Sequence, residues 1–78
     1  MAERKRIEIR VNFSVLYKDN GANVREEFTE KTVVIDDSVA RAERTVVDSI
    51  ENRETERYGD DLVSISILSV NTSVLANE

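Results

Sequence analysis

The stretch IEIRVNFSVLYKDNGAN, residues 7–23, contains the clearest structural pattern in the chain. Apolar and aromatic side chains occupy every odd position from Ile7 to Tyr17, and the even positions are polar except for Leu16. A period of two is typical of a strand with one buried face. The Asn20-Gly21 pair that follows tolerates the positive φ angles of a tight turn. We therefore predict a long strand, at about residues 5–18, that reverses in a hairpin.

The return strand is predicted at about residues 24–35. Its inner positions alternate between apolar residues such as Phe28 and Val34 and the carboxylates Glu26 and Glu30. Carboxylates on an inner face are typical of a strand at a sheet edge or of a strand with a bulge.

The spacing of apolar residues then changes to three and four, which predicts a helix at about residues 38–58. Asp36, Asp37 and Ser38 are candidate N-caps, because their side-chain oxygens accept the free amide hydrogens of a first turn. Gly59 is placed to end the helix with a positive φ angle. The residues of the narrow apolar stripe are Val39, Ala42, Val46 and Ile50.

A third strand is predicted at about residues 62–70, followed by a tail at residues 71–78. Val63, Ile65 and Ile67 occupy odd-numbered positions, whereas Leu62, Leu68 and Val70 occupy even-numbered positions, so apolar residues are expected on both faces of this strand. No charged residue occurs between positions 62 and 77, although charged residues make up 35% of the chain.

The order β-β-α-β in 78 residues predicts a single α+β domain. A right-handed crossover through the helix places the third strand beside the first, so the expected sheet order is 2-1-3 with one helix packed on one face. The predicted core residues are Ile7, Ile9, Val11, Phe13, Val15, Phe28, Val34, Val39, Val46, Ile50, Val63, Ile65 and Ile67.

Composition narrows the range of functions. The chain has no cysteine and no histidine, which argues against disulfides, zinc sites and the commonest general base. The carboxylate pairs Asp36-Asp37 and Asp60-Asp61 are explained by capping and by a polar turn, and no catalytic or phosphate-loop motif is present. We therefore predict that the protein is not an enzyme and has no metal or cofactor.

Two further expectations concern location. The basic N-terminus has no apolar segment behind it, which predicts no export signal and a cytoplasmic protein. No apolar run is long enough for a membrane helix, so no membrane association is expected.

The third strand raises the question of association, because an uncharged edge is unusual in a soluble protein. We expect it to be covered by a second copy, with a dimer favoured, either edge to edge or face to face. The alternative is that tail residues Val74 and Leu75 fold back over this side. The residues predicted to form the self-association interface are Leu62, Ser64, Ser66, Leu68, Val70, Leu16, Val33 and Ile35.

Two other binding modes remain open. One is a nucleotide or nucleic-acid site on a basic sheet face, although Glu8 interrupts that face and it lacks aromatic side chains. The other is acidic mimicry of DNA by residues 51–61, where interleaved arginines argue for ordinary ion pairs. The residues of the basic face are Arg4, Arg6, Arg10, Arg25 and Lys31.

The run EEFTEKTVVIDDSVARAERTVVDSIE, residues 26–51, resembles a class of very small β-β-α-β proteins of unknown function from phages and mobile elements. The matching positions are Ile35, Asp36, Ser38, Ala42 and Glu43, together with the closing ISILSVNTSVL. The resemblance implies a phage-type accessory or inhibitor role and transfers no functional residue. Together these features favour a non-enzymatic module that self-associates and binds a protein partner.

Overall fold

The computed structural model describes residues 4–77, which form three strands, one long helix and a short 3-10 turn. Residues 1–3 and Glu78, the last residue of the predicted tail, lie outside the described residues. The elements are β1 (Lys5–Asp19), β2 (Ala22–Asp36), α1 (Val39–Tyr58), the 3-10 turn (Gly59–Asp61) and β3 (Leu62–Asn77).

The three strands form one antiparallel sheet in the order β2-β1-β3. This confirms the predicted fold class, strand order and β-β-α-β topology. β1 and β2 pair without interruption from Lys5–Asp36 to Asp19–Ala22. The two-residue turn between them has positive φ at both Asn20 (52°) and Gly21 (82°), as a hairpin of this length requires.

Helix α1 begins at Val39, one residue after the predicted start, and ends at Tyr58 as predicted. The Ser38 hydroxyl accepts a hydrogen bond from the backbone amide of Arg41 at 3.2 Å, which satisfies one of the free amides of the first turn. At the other end Gly59 has φ 55°, and its amide donates to the carbonyl of Thr55. The helix therefore has a defined length of 20 residues.

The core lies between α1 and the odd-numbered side chains of β1. Phe13 is the largest of the fully buried residues, and its ring centroid lies 5.4 Å from that of the half-buried Phe28 on β2. Beyond the core, Tyr17 stacks on Tyr58 of the helix end at 4.4 Å. The buried apolar residues are Ile7, Ile9, Val11, Phe13, Val15, Ala42, Val46 and Ile50.

Strand β3 contains three extra residues relative to β1. The pairing skips Val63 between Leu62 and Ser64, Leu68 between Ile67 and Ser69, and Leu75 between Val74 and Ala76. Each extra residue is a bulge that shifts the following side chains to the other face of the sheet.

The bulges correct several predictions about faces. Leu62 and Val70 pack against the core on the helix side, and therefore do not lie on the bare face of the sheet. Val63, predicted to be a core residue, is instead exposed because it is an extra residue. Ile65 and Ile67 are half-buried on the helix side. The odd-numbered and even-numbered apolar residues of β3 thus lie on the same face of the sheet, because a bulge separates the two sets.

The predicted tail is also corrected. Residues 71–77 continue β3 along β1 as far as the Lys5–Asn77 pair. Val74 and Leu75 are both exposed and stay in the strand, so they do not fold back over the sheet. The alternative of a covering tail is therefore wrong.

Candidate interaction surface

The two edge strands of the sheet differ in chemistry. The free edge of β2 presents closely spaced charges, including Arg25, Glu27 and Lys31, which discourage pairing with another strand. β3 has no charged residue anywhere along its length. Three bulges interrupt the pairing of β3 with β1 and so disturb its free edge, but they leave Ser69–Val74 regular.

Exposed large apolar side chains concentrate on β3. Val63, Leu68, Val74 and Leu75 are each about half exposed, and three of these four are bulge residues. Of the predicted interface residues on this strand, Leu68 is therefore at the surface. Ser64 and Ser66 are also exposed and face away from the helix.

The predicted apolar residues outside β3 lie on the outer face of the sheet, which is the face opposite α1. Val33 and Ile35 are exposed on β2, opposite Glu8 and Arg6 of β1. Leu16 is half-buried between Arg25 and Ser64, at the other end of the sheet. The structure therefore separates the predicted interface into an edge at β3 and two distant apolar groups on the outer face.

Polar side chains hold the centre of the outer face. Asn12 of β1 donates to the Ser69 hydroxyl at 2.7 Å, and its side-chain oxygen accepts from the Thr29 hydroxyl at 2.6 Å. The amide thus bridges all three strands. The hydrogen bond from Asn12 to Ser69 lies directly beside the Leu68 bulge, because Ser69 is the next residue after Leu68.

The predicted basic residues fall into three groups. Arg10 and Lys31 are directly opposite each other on β1 and β2, and Arg6 lies four positions from Arg10 on the same face. Arg25 is six positions from Lys31, roughly 20 Å along the strand. Arg4 lies at the sheet end, where it lines a hollow with Asp36, Asp37 and Arg41. A single continuous basic stripe is therefore not formed.

Asp36 and Asp37 have structural partners. The Arg41 side chain donates to both carboxylates, and Asp36 also accepts from the backbone amide of Ser38 at 3.0 Å. These two sets of hydrogen bonds, with Arg41 the larger cause, hold the pKa of the Asp36 carboxyl well below its ordinary value. The pKa of Arg41 is raised, first by its hydrogen bond to Asp36.

The inner carboxylates of β2 also have partners. Glu30 accepts from the Arg53 guanidinium at 2.6 Å, and this hydrogen bond is the main cause of the raised pKa of Arg53. Glu26 accepts from the Tyr17 hydroxyl at 2.9 Å, which raises the pKa of Tyr17. These contacts explain how β2 carries carboxylates on its helix side, and the strand order β2-β1-β3 confirms that it is an edge strand.

One buried carboxylate was not anticipated. Glu54 on α1 is only 2% exposed, and its Oε1 accepts from Arg53 at 3.3 Å. Its Oε2 has no hydrogen-bond partner. The sequence showed Glu54 only as one position on a charged helix, although it lies four residues beyond Ile50 on the apolar stripe.

No match was found among known protein families, curated proteins or solved structures. Within residues 4–77, no cluster of three or more acidic side chains is arranged to hold a metal ion. The helix that the structure describes lacks the apolar character needed to cross a bilayer.

The Asp36 contacts predict how stability depends on pH. The folded pKa of Asp36 is below that of the unfolded chain, so its stabilisation is present above the unfolded pKa and is lost as pH falls through the folded pKa. We expect the thermal midpoint of Asp36→Asn to fall less steeply than that of wild type below about pH 4. Asp48→Asn, at an exposed helix position, should keep the wild-type slope. Parallel slopes for Asp36→Asn and wild type would contradict the assignment.

Proposed function

We propose that this protein is a non-enzymatic interaction module that pairs with a second copy of itself through the free edge of β3. The observation that carries the proposal is the difference between the two sheet edges: β2 is charged, whereas β3 is uncharged and has four exposed apolar side chains. Pairing two β3 strands brings no like charges together along the shared edge, even though each chain has a net charge of −5.

The exposed area supports this proposal. The chain exposes 5331 Å², whereas a compact monomer of its mass is expected to expose about 4800 Å². An interface that hid this excess on both copies would bury about 1000 Å² in total, which is the lower limit for specific association. The elongated shape of the chain, 52 × 17 × 13 Å with a radius of gyration of 14.9 Å against ~11.5 Å for a compact domain of this length, accounts for the extra exposed area and leaves a long β3 edge available for pairing.

Edge pairing is favoured over face-to-face packing. Arg10 and Lys31 lie opposite each other on the outer face, near Arg6. Two outer faces packed together would bring these cations close to their counterparts, which costs free energy unless acidic groups intervene. An antiparallel β3–β3 contact instead extends the sheet to six strands and leaves both outer faces accessible.

The wider role follows from this arrangement and from the resemblance to small phage proteins. In such a six-stranded sheet the outer faces of the two copies lie side by side, away from the helices, and together can bind a further macromolecule. We propose an accessory or inhibitor role in the cytoplasm, with a host protein as the partner. Surface complementarity rather than catalysis would carry this role.

A pair of matched valine substitutions tests the proposed dimer. Val74 on β3 and Val33 on β2 are exposed to almost the same extent, 51% and 52%. We expect wild type to sediment as a dimer of twice 8.9 kDa. Val74→Glu should sediment as a monomer, because it places a charge beside the β3 edge, whereas Val33→Glu should remain dimeric.

Analytical ultracentrifugation across a dilution series measures this directly, with circular dichroism as the check that each variant is folded. A wild-type protein that stays monomeric at the highest concentration would overturn the proposal. So would equal dimer affinities for the two glutamate variants.

A further inference from the structure

The outer face of the sheet has the opposite charge to the rest of the protein. Residues on this face follow from the alternation of side chains along β1 and β2. Five of them are cations and two are carboxylates, although the chain as a whole has a net charge of −5. The cations are Arg6, Arg10, Lys18, Arg25 and Lys31, and the carboxylates are Glu8 and Glu27.

Small neutral hydrogen-bonding groups accompany these cations. The outer face of β3 presents Ser64, Ser66, Ser69, Asn71 and Ser73. Arg10 and Glu8 line a hollow of about 160 Å³ with Asn71 and Ser73. Glu8 is also within 3.4 Å of the Lys31 amine, so this carboxylate is already engaged by a cation. The cluster of Arg6, Arg10 and Lys31 is therefore bordered by hydroxyl and amide groups.

We propose that this outer face binds the phosphate backbone of a double-stranded nucleic acid. Arginine, lysine, serine and asparagine side chains are the groups that contact phosphate oxygens in such complexes. Arg6 and Arg10 are separated by roughly 13 Å along β1, so they can contact different phosphates. The chain has a net charge of −5 and this face one of +3, so the remaining residues carry −8 and orient the protein by repulsion from the same polyanion.

The face contacts the backbone and does not read bases. Phe13 and Tyr17 are on the helix side of the sheet, so neither can stack on a base from the outer face. An open sheet face also has no element that enters a groove. Binding is therefore independent of sequence and sensitive to salt. Each copy has a complete outer face, so this inference does not depend on self-association.

Fluorescence anisotropy of a labelled DNA duplex of about 20 base pairs tests the proposal. With about three phosphates neutralised, log K should fall against log salt with a slope near −2.7, and affinity should drop about 40-fold between 50 and 200 mM salt. Arg10→Gln should reduce the magnitude of the slope by about one. Arg10→Glu should weaken binding at least tenfold at low salt, because a repulsive charge replaces a phosphate contact.

Arg44→Glu provides the matched control, since Arg44 is an exposed arginine on α1 and the substitution changes the net charge equally. Its affinity should stay within about twofold of wild type if the outer face is the site. Equal losses for Arg10→Glu and Arg44→Glu would overturn the proposal, as would a slope near zero. Polyglutamate that competes as well as unlabelled duplex would show a site for any polyanion and would also overturn it.

Discussion

Deletion of Leu68 is expected to leave the fold intact, whereas deletion of Asn12 is expected to unfold the protein. Leu68 is the extra residue between Ile67, which pairs with Phe13, and Ser69, which pairs with Asn12. Removing it restores a regular ladder, and every other residue keeps its partner and its face. Because Leu68 is 53% exposed, its loss should change the free energy of unfolding by no more than about 1 kcal/mol.

Asn12 is at the same level of the sheet, but β1 has no extra residue to lose relative to β2. Its deletion turns either the side chains before it or those after it to the wrong face. Three apolar residues on either side, Ile7 to Val11 or Phe13 to Tyr17, would leave the helix side. At about 1.5–3 kcal/mol each, the loss is roughly 5–9 kcal/mol, comparable with the total stability of a small domain.

Urea unfolding followed by circular dichroism measures both deletions. Wild type and the Leu68 deletion should give single cooperative transitions with similar midpoints, and the Asn12 deletion should give none. A Leu68 deletion that lacks a cooperative transition would show that the bulge is required for the fold. An Asn12 deletion as stable as wild type would show that burial of the odd-numbered side chains does not determine the register of β1.

The contrast between β1 and β3 explains how far the sequence determines the fold. The period of two in β1 runs without interruption, so parity predicted its buried face correctly. The same reasoning failed in β3, because three single-residue bulges reset the parity. The signal was present in the change from odd apolar positions at Ile65 and Ile67 to even ones at Val70 and Val74. When apolar residues change from odd to even positions within one strand, the two sets can share one face of the sheet, with a bulge at the point of change.

The uncharged edge of β3 was predictable from the sequence, but several of the side-chain contacts around it were not. The absence of charge from Leu62 to Asn77 and the edge position of β3 follow from sequence and topology. The separation of Arg25 from Arg10 follows from the register that the two-residue turn sets, but the contact of Glu30 with Arg53 depends on the rotation of α1 over the sheet. Such long-range geometry has no local sequence signal, and the burial of Glu54 is a further consequence of it.

Replacing Glu54 by methionine is expected to stabilise the protein by about 1–3 kcal/mol. The carboxylate is almost fully buried, and its Oε2 has no partner to replace lost hydration. Methionine has a similar length and no polar atom to desolvate. Arg53 would not be left unpaired, because it is half exposed and keeps its 2.6 Å hydrogen bond to Glu30. For a domain of this size, the thermal midpoint should rise by roughly 5–20 °C.

Two further variants separate burial from net charge. Glu56→Met changes the charge equally at an exposed position of α1 and should alter the midpoint by only a few degrees. Glu54→Gln removes the charge but keeps a polar group buried, so its stability should lie between those of wild type and Glu54→Met. Differential scanning calorimetry gives all three midpoints. A Glu54→Met protein that melts below wild type would mean that the Arg53–Glu54 contact contributes more than the burial of the carboxylate costs.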